Sequence, residues 1–284
     1  MKLLLTGAQG FIGTHFAQSI TTHEIVPFSF QNGDIDLLDL SGYDTVIHLA
    51  ALVHQMNGAS TEAYEQVNVI RTRTLAQNAK ADGVKHFFFM STVKVYGEEN
   101  DFPYTETSPC NPQDDYGRSK LRAEQELQKL EDDTFIVSII RTPIVYGVGV
   151  KANIKNLIHL VQTIPILPFG NTHNLRSMVY LGNLCALFQA ILEQKQGGIF
   201  LATDNHPLST TELIREISGV LNKKTYLIHL PLFRTLLKKF KPSFYQRLFG
   251  NLTVDNTFTK EKLSFQNPYT TTEGIKYMIQ ANTQ

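Results

Sequence analysis

Three glycines at GxxGxxG spacing, in Thr6-Gly7-Ala8-Gln9-Gly10-Phe11-Ile12-Gly13, follow the apolar run 2–5 and lead straight into the helix-like stretch 11–20. No other feature constrains the fold as much, because a strand that turns through glycine into a helix opens a βαβ unit. In that setting Gly7 permits the tight turn, Gly10 lets the backbone approach a pyrophosphate, and Gly13 lets the helix lie close on the strand. The helix amino terminus adds N–H groups and a favourable dipole for an anion. The motif implies a bound dinucleotide, met by Gly7, Gly10, Phe11, Ile12 and Gly13.

The alternation then repeats. Residues 24–28, 45–49, 86–90 and 135–140 read as short buried strands, and 61–81 and 116–130 as helices with apolar positions three and four apart. The expected fold is α/β: a Rossmann-type doubly wound parallel sheet with a smaller carboxy-terminal substrate lobe. Residues 1–150 form the dinucleotide-binding domain on this reading. Residues 151–284 form mainly the substrate lobe, with some segments returning to the first domain. Pro165, Pro168, Gly170 and Gly197-Gly198 break that second part into short elements, and Ser209-Thr210-Thr211-Glu212 opens one helix with a capping box.

The second strand ends at Ser29, where dinucleotide-binding folds usually carry an acid for the adenosine ribose. No arginine sits beside Ser29 in sequence, so NAD(H) versus NADP(H) stays open. Asp34 and Ile35 either contact the adenine or form an ordinary turn.

Composition bounds the partners. The 284 residues are 42% hydrophobic and 18% charged, with zero formal net charge, which excludes a disordered or coiled-coil chain. Cys110 and Cys185 are too few and too far apart for a disulfide framework or a zinc site, so no metal is expected and a reducing, cytoplasmic setting is. The amino terminus lacks a secretion signal pattern, no apolar run is long enough to span a bilayer, and no nucleic-acid-binding pattern is visible. Residues 1–150 carry 11 Lys and Arg against 19 Asp and Glu, whereas 151–284 carry 15 against 7. The basic second half suits an anionic ligand. Its most basic stretch, 223–247, has an apolar face of Leu232, Phe233, Leu236, Leu237 and Phe240, and is expected to be a helix packed on the lobe rather than a membrane contact.

Tyr116 and Lys120 stand at i, i+4 on one helix face. An ammonium there is expected to lower the phenol from its ordinary pKa near ~10 and make it a usable proton donor and acceptor. Ser91 and Thr92 follow the fourth strand at its carboxyl end, where parallel sheets bind ligands.

Taken together, these segments resemble the extended short-chain dehydrogenase/reductase family of sugar-nucleotide epimerases, dehydratases and reductases. The likeness extends to His48-Leu49-Ala50-Ala51, on the cofactor side, and to Arg141-Thr142-Pro143-Ile144-Val145-Tyr146-Gly147, beside the nicotinamide. It implies a catalytic triad of Thr92, Tyr116 and Lys120, with Ser91 as runner-up to Thr92. It also implies cofactor contacts at Leu49, Ala50, Ala51, Tyr116, Lys120 and Pro143, and substrate contacts at Thr92, Lys94, Asn153, Arg176 and Arg247. Family dehydratases carry two carboxylates after the catalytic threonine, where this chain has Val93-Lys94, so water elimination is not expected. Segments 93–98, 147–153 and 174–180 look most like bacterial reductases of UDP-linked 4-keto-6-deoxy-N-acetylhexosamines, which serve polysaccharide synthesis. A nucleotide-sugar 4-epimerase is the alternative, and a non-catalytic dinucleotide-binding protein the weaker one. A nucleotide-sugar substrate and a homodimer are the partners this likeness implies.

Overall fold

The computed structural model describes residues 1–31, 33–53 and 59–281. Strand β1 (Lys2–Thr6) passes through the glycine turn into α1 (Phe11–Ser19), then β2 (Glu24–Phe28), a 3₁₀ turn (Ile35–Leu37) and β3 (Thr45–His48). Next come α2 (Thr61–Tyr64), a π-helical turn (Glu65–Ile70), α3 (Arg71–Ala81), β4 (His86–Thr92), α4 (Asp115–Gln128) and β5 (Ile136–Thr142). The chain continues through β6 (Ile144–Tyr146), α5 (Ala152–Thr163), β7 (Ile166–Leu167), β8 (Met178–Tyr180), α6 (Leu181–Gln194) and β9 (Gly198–Leu201). It closes with α7 (Thr210–Val220), β10 (Tyr226–Leu227), α8 (Pro231–Phe240), α9 (Pro242–Phe249), α10 (Thr257–Leu263) and α11 (Thr271–Ala281).

Six strands form one sheet in the order β2-β1-β3-β4-β5-β9, all parallel. The order turns back at β1, since β2 lies on one side of it and β3 on the other. That reversal opens a crevice at the carboxyl ends, directly over the glycine turn. Consecutive phenylalanines show how the sheet is filled. Phe88 joins the core under α1 and α6 with Phe16 and Phe188, while Phe87 and Phe89 join the opposite core under α3 and α4 with Leu75 and Ala123. Burying such a side chain contributes roughly 1.5–3 kcal/mol, and all three are at most 1% exposed.

A third core lies between β6, β8, α5, α7 and α11. Tyr146 and Asp204 join it to the sheet's outer strands: the Tyr146 hydroxyl donates to Asp204 Oδ2 at 2.6 Å, and Asp204 Oδ1 accepts from Tyr180 N–H and Asn183 Nδ2. Ser209 and Glu212 cap α7 reciprocally, as the sequence pattern predicts.

The helical stretch expected over 61–81 is continuous and includes the π-helical turn, which carries buried Asn68 toward the loop after β3. One expectation is corrected. The basic stretch forms α8 and α9 but is not a buried packing helix. Neither helix has a buried residue, and Leu232 and Phe240 are 71% and 70% exposed. Phe233 of α8 and Leu248 and Phe249 of α9 turn onto the lobe core, Phe233 and Phe249 beside Phe169, while the rest of the apolar face is left uncovered, because an amphipathic pattern fixes which face is apolar and not what covers it. Among the described residues no helix is long and apolar enough to cross a membrane.

Candidate functional site

The site begins at the glycine turn. Gly7 has φ +72°, and a Cβ there would stand 2.7 Å from Ala50 N. A Cβ on Gly13 would stand 2.2 Å from Gly7 O, so α1 can sit this close to β1 only without a side chain. Helix α1 starts at Gly10 with no side-chain cap and no acid in its first turn, which leaves its first N–H groups for a phosphate. The turn is held by a buried relay. His48 lies between Thr6 Oγ1 at 2.7 Å and Thr72 Oγ1 at 2.8 Å, and Thr6 Oγ1 also accepts from Ala50 N–H. Burial, helped by the Lys120 charge, pushes His48 down to about 3 and keeps its ring neutral.

Above the turn lies a cleft of ≈ 430 Å³, lined by residues that include Gly7, Gly10, Ser29, Ala50, Ala51 and Arg71. Phe11, Ile12 and Leu49 pack against the cores instead of lining it. Asp34 and Ile35 are not brought into the cleft. The Asp34 carboxylate caps the 3₁₀ turn by accepting from Asp36 N–H, and Ile35 packs on the core beside α3, its carbonyl accepting from Asn78.

The reactive end lies beyond β4. Thr92 and Tyr116 share a pocket of ≈ 220 Å³ with Thr142, Pro143, Asn153, Arg176 and Arg247. Tyr116 stands in the first turn of α4, which Asp114 caps by accepting from Gly117 N–H at 2.7 Å. Lys94 lines the same pocket, but its ammonium is held at 2.6 Å from Asp114 and 2.7 Å from Glu98. Its charge is matched by two carboxylates, one of them the Asp114 cap of α4. The Ser91 hydroxyl is committed to the Glu124 carboxylate on the far side of the strand, so Thr92 is the hydroxyl that faces the pocket.

Lys120 is buried, donates to Met90 O at 2.7 Å and lies 4.3 Å over the Phe89 ring. Desolvation brings its pKa down to about 7 against the opposing pull of Glu124. Tyr116 runs opposite to expectation. Burial raises its pKa, with Asp114 and Tyr64 adding to the rise.

Beneath the pair is a support that sequence reasoning missed. Arg141 on β5 meets Glu124 on α4 at 2.5 Å, both buried, with Arg141 4.6 Å over the Tyr96 ring. Asn68 donates to Ser119 Oγ at 2.9 Å, and Ser119 in turn donates to the Tyr116 carbonyl. No local pattern marks either link, since each joins residues from separate elements; π-helical turns at functional sites offer the one general signal.

At the outer wall, Asn153, Arg176 and Arg247 also line an adjoining, more apolar pocket of ≈ 310 Å³ that reaches Leu157, Leu213 and Phe244. Arg176 Nη1 donates to the carbonyls of Gln246 and Gly250. Its Nε is buried with no hydrogen-bond partner among the described residues, a donor suited to a phosphate oxygen.

Comparisons with known proteins point to one family. Residues 3–202 match the model of the NAD dependent epimerase/dehydratase family. A UDP-glucose 4-epimerase of Vibrio cholerae is 37% identical, over 100% of this chain and 96% of that one. An N-acetyl-alpha-D-glucosaminyl-diphospho-ditrans,octacis-undecaprenol 4-epimerase of Escherichia coli O157:H7 is 31% identical over 81% of this chain and 75% of that one. Among solved structures, the UDP-glucuronic acid 4-epimerase of Bacillus cereus in complex with NAD superposes with a TM-score of 0.80 at 21% identity, covering 100% and 99% of the two chains. These relatives bear 4-epimerase names, whereas the motif likeness pointed first to a 4-reductase.

Proposed function

The chain belongs to the NAD dependent epimerase/dehydratase family, and from that premise we propose that it inverts C4 of a hexose carried on a nucleoside diphosphate, UDP being the nucleotide. One observation carries the reading: Thr92, Tyr116, Asn153, Arg176 and Arg247 meet around a single pocket. A hydroxyl, a phenol, an amide and two guanidiniums line it together. That spacing of groups suits a sugar held by its diphosphate with its ring facing the proton-transfer pair.

The glycine turn and the uncapped amino terminus of α1 fit a dinucleotide pyrophosphate, and Lys120 and Pro143 are the residues that would hold its nicotinamide riboside. When bound, the oxidised nicotinamide supplies the hydride acceptor and donor for C4 and a positive charge that favours the phenolate. Tyr116 takes the proton from the C4 hydroxyl as that carbon is oxidised, and returns it to the same oxygen when the carbon is reduced from its other face. Thr92 donates a hydrogen bond to that oxygen throughout. Arg176 and Arg247 keep the diphosphate while the sugar turns. With Val93-Lys94 after Thr92 and the nearby Glu98 tied to Lys94, the pocket lacks a free pair of carboxylates for water elimination.

Segments 93–98, 147–153 and 174–180 support a second reading, reduction of a 4-keto sugar nucleotide. The test is incubation with UDP-glucose and UDP-N-acetylglucosamine, followed by proton NMR of C4. Interconversion of the C4 epimers with no net cofactor consumed is expected, and its loss in Tyr116→Phe. No interconversion, with NADH or NADPH consumed on adding a UDP-linked 4-keto-6-deoxy-N-acetylhexosamine, would replace inversion by reduction.

A further inference from the structure

We infer that α8 and α9 dock the protein on a membrane surface that carries anionic headgroups, lying along the interface without crossing it. Between Glu216 and Asp255 the sequence has no acidic residue and seven lysines and arginines. Within that run Leu232, Leu236 and Phe240 recur at four-residue intervals, which sets them in a row along one face of α8, and all three are exposed. Phe233, the next residue after Leu232, packs on the lobe core and so holds the row on the outer side. Phe244 of α9 is exposed as well. A cluster of large exposed apolar side chains rimmed by polar ones marks a contact surface.

The cations flank the row. Lys239 Nζ lies 5.6 Å from the Phe240 ring centroid, and Lys238 Nζ lies 5.7 Å from that of Tyr245. Lys238, Lys239 and Lys241 form no ion pair among the described residues, although Glu99 shares a cleft with Lys238. Charge and apolar row together select the occupant. A two-fold contact with a second copy would set this basic run against itself. A nucleic acid would use the cations and leave the row in water. An anionic bilayer takes both, with the apolar row at the acyl boundary and the flexible lysines reaching the headgroups. Docking of this kind does not depend on whether C4 is inverted or reduced.

Flotation of the full chain with vesicles tests it without turnover. The probes are phosphatidylcholine vesicles and vesicles in which phosphatidylglycerol replaces part of the phosphatidylcholine. Partition onto the anionic vesicles should exceed that onto the neutral ones at least about tenfold, and should fall as salt is raised. Lys238→Gln with Lys239→Gln should weaken it about tenfold, and Phe240→Ser by a similar ~tenfold, with melting temperatures unchanged because these side chains are exposed. The chain has no tryptophan, so Phe240→Trp reports contact directly: its emission should shift to shorter wavelength with anionic vesicles and stay unshifted with neutral ones. Equal partition onto both vesicles, no partition at all, or an unshifted Phe240→Trp on bound vesicles would overturn the assignment. So would a dimer in light scattering that Phe240→Ser dissociates, which would give the face to a second copy.

Discussion

Phe89 and Phe240 are the same residue in two regions built on different terms. Phe89 lies in β4 at 1% exposure, stacked with His48 and under the Lys120 ammonium. Phe240 ends α8 at 70% exposure, with basic neighbours and no buried residue in its helix. Around Phe89 polar groups are buried in partnered sets: His48 with Thr6 and Thr72, Glu124 with Arg141 and Ser91. Around Phe240 almost nothing is committed, yet the following helix delivers Arg247 to the pocket. The proton-transfer groups stand on a scaffold that fixes them, and part of the substrate wall stands on helices that can change without unfolding it.

The contrast can be broken most forcefully at Glu124. Removing one member of a buried ion pair leaves the other uncompensated, so Glu124→Ala should lose about 3–5 kcal/mol in denaturant unfolding. Phe89→Ala should cost a similar ~3–5 kcal/mol, by the cavity it leaves. A loss under ~1 kcal/mol at both positions would show that the scaffold is not what holds the site.

Lys120→Met sharpens the comparison by pH. The folded pKa of about 7 lies below the ordinary lysine value, so below pH 7 both states are protonated and the cost of burying the ammonium is fully present. Above pH 7 the folded protein sheds the proton first, and its stability rises with pH toward the unfolded value. Thermal melts should therefore show Lys120→Met gaining most over the original protein at pH 6 and least at pH 9, with turnover lost. A gap that does not change with pH would contradict this.

Arg247→Ala should raise KM about tenfold, with a smaller change in kcat and an unchanged melt, if its role is to hold diphosphate. Smallest of all, Phe240→Ala should shift stability by no more than about 0.5 kcal/mol, against the cost at Phe89.

What was legible in the sequence is what is local. The glycine turn, the parallel alternation and the Tyr116–Lys120 spacing are each set within a few residues. Proximity across elements was not legible. Arg71 comes to the cleft of Ser29 from the start of α3, and Asn68 reaches Ser119 from a π-helical turn within the helical run 61–81. Lys94 looks from its position like a substrate cation, but Asp114 and Glu98 claim it, and neither partner's reach can be read from spacing. The direction of the Tyr116 shift was not legible for the same reason: it comes from burial and from Asp114 and Tyr64, which an i, i+4 spacing to a lysine does not reveal.

The central claim is that hydride leaves and returns at C4 inside one pocket while Tyr116 handles the proton. Its most direct test is a UDP-hexose carrying deuterium at C4, incubated in ordinary water and read by NMR and mass spectrometry. The account predicts both C4 epimers with the deuterium retained at C4, and neither interconversion nor exchange in Tyr116→Phe. Deuterium lost to solvent, or interconversion that survives in Tyr116→Phe, would contradict it.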